Sequence, residues 1–483
     1  MLAAFFVATK YYLFRQLEYT SDLFSFLQMS QSYLWQRPLF FENAFGSDAI
    51  RYHNYFLTPL LAPFAIKLGA LGLFVVHGLL MALAAFYILS FFGHQKVNRL
   101  HAASALLLVL LFGPISFYVF DNVNTGWHLD TLFLPLSIIF TAQLMRGSGW
   151  KWLSGLALLL VREEGALILW AISMQYLQAR QDIKPSKKIG AFFKQSIFFL
   201  VLFLLSLARL WFVQQGLHHL SSVLSESYFE KLFSNPEVLL DLKGSLNIYL
   251  LISGSLLLAS FYFMSIQSFA TLCLILLPLL GTQIIGGLKY SNFTNYGPLW
   301  APRLAGTLAI IGAAMFIDLK FKKIHFQFSG KSTVAFLIFT FLSIFAQYLV
   351  LNTQLNYPLE KRIAYSDFDR KVNRYYKEKL TEHEISFLKN LSAELPAYTS
   401  IGLNQHLFSF FEKHEIVWMD RYGNAWQMPK IVICCQSFYA DADECRYIAQ
   451  GPYFSNLKYA EMGNLSIRYG EEYSTIVNKL LKK

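Results

Sequence analysis

The chain has 483 residues, of which 55% are hydrophobic and 15% charged, with a net charge of +11; soluble domains usually carry about 25% charged residues. That balance, with apolar runs as long as the ~20 residues needed to cross a bilayer, excludes an ordinary soluble domain. The period-2 alternation of an outer-membrane barrel is missing, which leaves a polytopic α-helical membrane protein. The basic excess is local. Residues 352–483 hold 17 Lys+Arg against 16 Asp+Glu, and the rest of the chain 24 against 14. Thirteen of those 24 fall in the loops 93–101, 146–151, 179–194 and 318–331. Basic loops between apolar runs mark the cytoplasmic side, so the charge reports topology. No nucleic-acid motif accompanies it and no nucleic-acid partner is expected.

In chain order, residues 1–14 read as a first outward crossing, short at about 21 Å. No basic n-region or small-residue cleavage site marks a signal peptide there. Residues 15–55 form an external loop. Within it "DLFSFLQMSQSYLWQ", 22–36, reads as an interfacial helix capped by Ser21, with Leu23, Phe26, Leu27 and Leu34 as its apolar stripe. The segment "FLTPLLAPFAIKL", 56–68, is too short and too proline-rich to cross. Further crossings are expected at 73–92 (inward), 102–120 (outward), 129–145 (inward), 195–215 (outward), 248–266 (inward), 269–288 (outward), 299–317 (inward) and 332–351 (outward). That makes nine, with the N-terminus inside. Residues 216–247 form a second external segment. Residues 1–351 are thus a membrane domain. Residues 352–483 are a small extracytoplasmic α+β domain, with a charged helix near 366–391 and strands in "EIVWM" and "KIVICC". Cys273 reads as inert core. Among Cys434, Cys435 and Cys445, a local disulfide to Cys445 and free buried thiols both stay open. Internal repeats of the kind that build many transporters are missing.

The stretch "WLSGLALLLVREEGALILWAISMQYL", 152–177, is apolar apart from Arg162, Glu163 and Glu164. A charge at the middle of a spanning helix costs about 2.5–3.5 kcal/mol on insertion scales. The loops on both sides are basic, so the segment cannot cross once. It is expected to enter and return as two short helices, about 152–161 and 165–178, with the charges at the apex in an enclosed or watered cavity. One continuous helix with a buried Arg–Glu pair is the competing reading.

Other polar residues gather at outer helix ends: Asp22, His53, His128 with Asp130, Tyr296 and Arg303. Each also has a plain explanation. Asp22 would favour a helix N-terminus, His53 would sit satisfied at the interface, His128 and Asp130 would be loop polarity, and Arg303 would snorkel. The triplet resists such a reading, because intramembrane ionisable residues are functional candidates by default.

"SDLFSFLQMSQSYLW", "YHNYFLTPLLAP", "GWHLDTLFLP" and "LLLVREEGALIL" occur in an order that resembles an uncharacterised bacterial membrane-protein family catalogued as a domain of unknown function. That family in turn resembles the type-C (GT-C) glycosyltransferases. The likeness covers most of residues 15–180, and Leu27 stands where the family has a second acid. It implies a GT-C-like fold in the bacterial cytoplasmic (inner) membrane. It also implies an inverting glycosyltransferase that takes a sugar from a polyprenyl-phosphate carrier to a lipid or envelope glycan at the outer face. By the same likeness Asp22 is the base. Arg162 and Arg303 stabilise the leaving phosphate, and His53, His128, Asp130, Glu163, Glu164 and Tyr296 line the substrate site. A divalent metal ion is a further possibility, no cofactor being certain. The rival expectations are a transporter or lipid-handling protein without catalysis, and a non-catalytic envelope assembly component docking through residues 352–483.

Overall fold

A computed structural model describes residues 2–17, 19, 21–42, 46–48, 53–92, 127–213, 266–290, 301–321, 338, 341–342, 344–345, 379–397, 399–403, 405–418, 427–436 and 454–482. The expected crossing 102–120, all but the last residue of 248–266, most of 332–351, and the external segment 216–247 lie outside these residues. So does Tyr296.

The membrane part begins with α1 (Leu2–Arg15) and α2 (Ser21–Gln31), the latter continued by a 3-10 turn (Ser32–Trp35). A two-stranded antiparallel ribbon follows, β1 (Phe41–Glu42) and β2 (Ser47–Asp48). Next come α3 (Thr58–Leu68) and α4 (Ala70–Phe92). A 3-10 turn (Leu129–Leu132) leads into α5 (Phe133–Met145), then α6 (Lys151–Val161) and α7 (Gly165–Ala179). The last described helices of this part are α8 (Pro185–Val213), α9 (Ile266–Tyr290) and α10 (Ala301–Phe321). Three of the described helices are long and apolar enough to cross a membrane: α4, α8 and α10. Helices α5 and α10 form the centre, with Phe133 to Gln143 buried throughout. None of the apolar window of α8 is buried, and Leu200, Leu204, Leu205 and Phe212 face outward.

The break at 162–164 is present. Arg162 closes α6 with extended backbone, and the Gly165 N–H donates back to the Arg162 carbonyl at 2.9 Å. A Cβ on Gly165 would lie 2.1 Å from the Leu158 carbonyl oxygen, and one on Gly155 would lie 3.8 Å from Leu169. The pairs 158/165 and 155/169 have nearly the same sum, as two helices folded antiparallel about a tight apex require. The hairpin therefore depends on glycine at 165, where α7 leaves against the backbone of α6.

The bundle has two unlike poles. At one, Arg146 donates to Ser90 Oγ at 2.9 Å and lies over Phe91, as Lys320 does. Lys188 donates to the Gln178 carbonyl, and Ser268 joins Gln178 to Asp318. These contacts gather the C-terminal ends of α4, α5, α7 and α10 with the starts of α8 and α9. At the other pole stand the starts of α4, α5 and α7 and the end of α8.

The expected interfacial helix is a helix, but it does not lie on a surface. Leu23, Phe24, Phe26, Leu27, Gln28, Met29, Ser30 and Gln31 are all buried. It is enclosed from two sides: Phe26 packs on Tyr55, Trp127 and His128 and Gln31 donates to the Ala65 carbonyl of α3, and the C-terminal domain packs on it as well. Gln28 bonds both ways with a strand, Nε2 to the His414 carbonyl and Oε1 from the Ile416 N–H, each at 3.1 Å. Phe24 meets Phe408 edge-on at 4.4 Å, and Arg37 pairs with Glu415 at 2.7 Å. Glu412 accepts the Ala70 N–H at 2.9 Å, at the N-terminus of α4. Burial pushes its carboxyl above the usual range, against the pull of that backbone donor. The stripe motif counted only the apolar face of α2; of its polar residues, Gln28 serves the second domain and Gln31 the backbone of α3.

That domain is α+β, as expected. Helix α11 (Glu382–Glu394) is fixed by a capping box between Thr381 and Glu384. It is followed by β3 (Ser400–Leu403), β4 (Glu415–Trp418), β5 (Ile431–Cys435), β6 (Lys458–Met462), β7 (Leu465–Tyr469) and α12 (Ser474–Leu481). The sheet order is β4-β3-β5-β7-β6, parallel in the first three strands and antiparallel beyond. The charged stretch expected at 366–391 is described only from 379, and its helix runs on to Glu394. Cys434 is disulfide-bonded and Cys435 is a buried free thiol; Cys445 lies outside the described residues. Cys273 is exposed rather than core, because it falls on the outward side of α9.

Candidate functional site

The hairpin apex carries its three charges into a network at the pole opposite the basic side chains. Arg162 is buried, with three carboxylates around its guanidinium. Nη1 reaches Asp130 Oδ2 at 2.8 Å, and Nε reaches Glu163 Oε1 at 3.2 Å and Glu164 Oε2 at 3.0 Å. Asp130 comes from the 3-10 turn before α5. Glu163 and Glu164 precede the first turn of α7, where the helix dipole favours negative charge. The loop before α3 closes the network. His53 Nδ1 lies 2.7 Å from Glu163 Oε1, the Asn54 N–H donates to Glu163 Oε2 at 3.2 Å, and the Leu57 N–H donates to the Leu160 carbonyl at 2.8 Å. Three separated segments thus meet here.

The protonation pattern follows from the partners. His53 Nδ1 faces a carboxylate and must carry the proton, so Nε2 is left to accept from Arg162 Nη2, 3.5 Å away. Desolvation by the protein packed round the ring, and then Arg162, hold this imidazole below its usual value, against Glu163. The cluster sets one guanidinium against three carboxylates. Asp130 Oδ1 receives no hydrogen bond among the described residues. His128 Nδ1 lies 3.5 Å from it and already accepts the Asp130 N–H at 3.3 Å. Among the described residues no group of three or more His, Cys, Asp or Glu side chains is arranged to hold a metal ion.

Two residues next to those singled out in the sequence complete the site. Tyr55 sits between the two histidines, its ring 5.2 Å from His53 and 6.0 Å from His128. Phe26 of α2 packs edge-on against Tyr55 and His128, at 5.1 and 4.8 Å, so Asp22, one turn earlier on the same helix, stands beside this neighbourhood. Asn54 is held by Ser206 of α8, and its side-chain oxygen accepts from Arg209. Ser206 stands seven residues before the end of α8, which puts the network about 10 Å inside that end.

No family model, curated protein or solved structure matches the chain. The reading of the site rests on its own residues.

Asp22, His53, His128, Asp130, Arg162, Glu163 and Glu164 are therefore brought to one pole. Arg303 is placed in the first turn of α10, with only its backbone described. Arg162 does not suit the role of phosphate ligand, because three carboxylates occupy it and the cluster as a whole repels an anion. Arg209 was missed although its signal is the same as that of Arg162: it is the one charge in "SIFFLVLFLLSLARLWFV". Lys10, the lone charge of α1 before Arg15, was missed likewise. It is fully buried among the rings of Phe6, Tyr19 and Phe74 at 5.3–5.7 Å.

Proposed function

We propose that this chain is an inverting glycosyltransferase of GT-C type in the bacterial cytoplasmic membrane, moving a sugar from a polyprenyl-phosphate carrier to a lipid or envelope glycan at the outer face. The observation that carries the reading is the apex of the α6–α7 hairpin, where acids and histidines from three segments meet inside the bundle opposite the basic pole. The basic loops support nine crossings with the N-terminus inside. The disulfide at Cys434 favours an oxidising, extracytoplasmic side for the domain that packs beside the site.

In this reaction the acceptor hydroxyl oxygen attacks the anomeric carbon from the face opposite the phosphate. The bond from that carbon to the phosphate oxygen breaks, the phosphate leaves with the electron pair, and the configuration inverts. Asp22 takes the hydroxyl proton as general base. Arg162 holds Asp130, Glu163 and Glu164 in place, and His53 and Asn54 fix the loop that carries Tyr55. The test is sugar transfer by the purified full-length protein given a labelled polyprenyl-phosphate sugar and envelope lipids. Asp22→Asn should abolish transfer without changing the melting temperature; full transfer by that variant rules out the mechanism.

One observation favours a second reading, a lipid-handling protein without catalysis. The Arg162 network is largely satisfied by its own members, as a structural ion cluster would be. Movement of a lipid between leaflets with no sugar released would support it.

A further inference from the structure

Helix α8 has one charged residue between Gln195 and Val213, Arg209. Its neighbours on the helix face outward as an apolar surface made by Leu200, Leu204, Leu205, Trp211 and Phe212. A cation on a lipid-facing helix is costly, and four residues from the helix end it has an easy escape: a long side chain there can extend to the headgroup region. Arg209 does not take that route. Its guanidinium lies over the Phe56 ring, 4.9 Å from the centroid, and Nη1 donates to Asn54 Oδ1. Asn54 is fixed in turn by Ser206 on α8, and its backbone N–H is held by Glu163. The guanidinium is thus oriented by the loop that lines the charged apex, at the seam between that loop and the lipid-facing helix.

The apex cannot serve an anion. Arg162 is shared among Asp130, Glu163 and Glu164, and a phosphate there would meet an excess of negative charge. Arg209 stands one side chain away from the same network. A planar, stacked guanidinium is well suited to a phosphate, which it can grip with two parallel hydrogen bonds. The chain attached to such a phosphate would lie along the apolar surface of α8, and Trp211 is of the kind that settles at a membrane interface.

We propose that Arg209, stacked on Phe56 and oriented by Asn54, holds the phosphate of a polyisoprenoid lipid that enters sideways along α8. The inference deepens the transferase reading and rests on it for the identity of the lipid. It assigns the phosphate to a residue outside the Arg162 cluster, and it gives the substrate a lateral path from the bilayer.

The test is binding, with no sugar transfer involved. Full-length protein in nanodiscs is titrated with decaprenyl monophosphate, with decaprenol, and with inorganic phosphate. The phosphorylated lipid should bind, decaprenol should bind at least tenfold more weakly, and inorganic phosphate should compete only at far higher concentration. Arg209→Gln should weaken decaprenyl monophosphate binding at least tenfold with its lipid-free melting temperature unchanged. Arg209→Lys keeps the charge, and with it the fold, but offers no fork; it should bind about three- to tenfold more weakly. Wild-type affinity in both variants, or equal affinity for decaprenol and its phosphate, overturns the assignment, as does inorganic phosphate binding as tightly as the lipid. Loss of binding in Arg209→Gln without any sugar transfer by the wild type would leave this subsite standing and remove the transferase reading. Undiminished binding in both variants alongside wild-type transfer would do the reverse.

Discussion

Replacing Arg162 by glutamine separates two roles that the sequence alone left joined. A phosphate-binding arginine would be dispensable for folding; a neutralising one would not. Arg162 is buried, and Asp130, Glu163 and Glu164 all approach its guanidinium within 3.2 Å. Removing one partner of a buried ion pair costs about 3–5 kcal/mol, because a charge is left uncompensated. Here three carboxylates lose one shared cation, so a loss of at least ~3 kcal/mol is expected. The three contacts are coupled and their worth is not a sum. Against a typical total stability of about 5–15 kcal/mol, that is a large fraction. The pH dependence gives a second signature. Without the cation, the folded carboxyls hold protons more tightly than unfolded ones, so the folded state binds more protons and stability rises as pH falls. Thermal unfolding in detergent should find Arg162→Gln far below wild type at pH 7.5 and partly recovered toward pH 5. The double variant Arg162→Gln/Glu163→Gln should also recover part of the loss, because an unpaired charge has been taken away. A variant that melts like the wild type at every pH would refute the neutralising role.

Other expectations follow from single contacts. Gly165→Ala should lower stability by about 1–3 kcal/mol, since its Cβ would lie 2.1 Å from the Leu158 carbonyl oxygen; a melting temperature equal to wild type would mean the apex is looser than described. Gly69→Ala should cost a similar ~1–3 kcal/mol. Gly69 has a φ of +61°, and its Cβ would meet the Glu412 carboxylate that seats the C-terminal domain on α4; the check is limited proteolysis of that domain. His414 donates from Nε2 to the Ser392 carbonyl at 2.9 Å. Burial holds this imidazole below its usual value of 6.5. As pH falls from 6.5 towards the folded value, the unfolded state binds more protons and stability is lost. Glu412, with its raised carboxyl, acts in the opposite sense at lower pH. Melting curves between pH 7.5 and 5.5 should slope downward for wild type and less so for His414→Asn.

How much of this was legible in the sequence depended on whether one chemical rule acted alone. The hairpin was legible, because a charged triplet between two basic loops conflicts with a single crossing, and only a turn resolves it. The strands at 415–418 and 431–435 were legible from β-branched runs. The surroundings of α2 were not. Its apolar stripe looks like that of a surface helix, and nothing local reveals that Gln28 pairs with a strand nearly four hundred residues later. The carboxylate ring around Arg162 was also hidden, since Asp130 arrives from 32 residues upstream. A lone arginine reads equally well as an anion site or a counterion until its partners are placed. Arg209 and Lys10 could have been found by the reasoning that picked out Arg162; each is a solitary cation in an apolar run, and each proves to be held by aromatic rings.

The most direct test of the transferase account is the fate of the donor. Full-length protein in liposomes is supplied with a polyprenyl-phosphate sugar labelled in both the sugar and the lipid, together with envelope lipids as acceptor. The account predicts that the wild type releases free polyprenyl phosphate in step with the sugar appearing on the acceptor, and that Asp22→Asn does neither while still folding. A donor that crosses the bilayer with both labels intact, and no sugar on any acceptor, would contradict it.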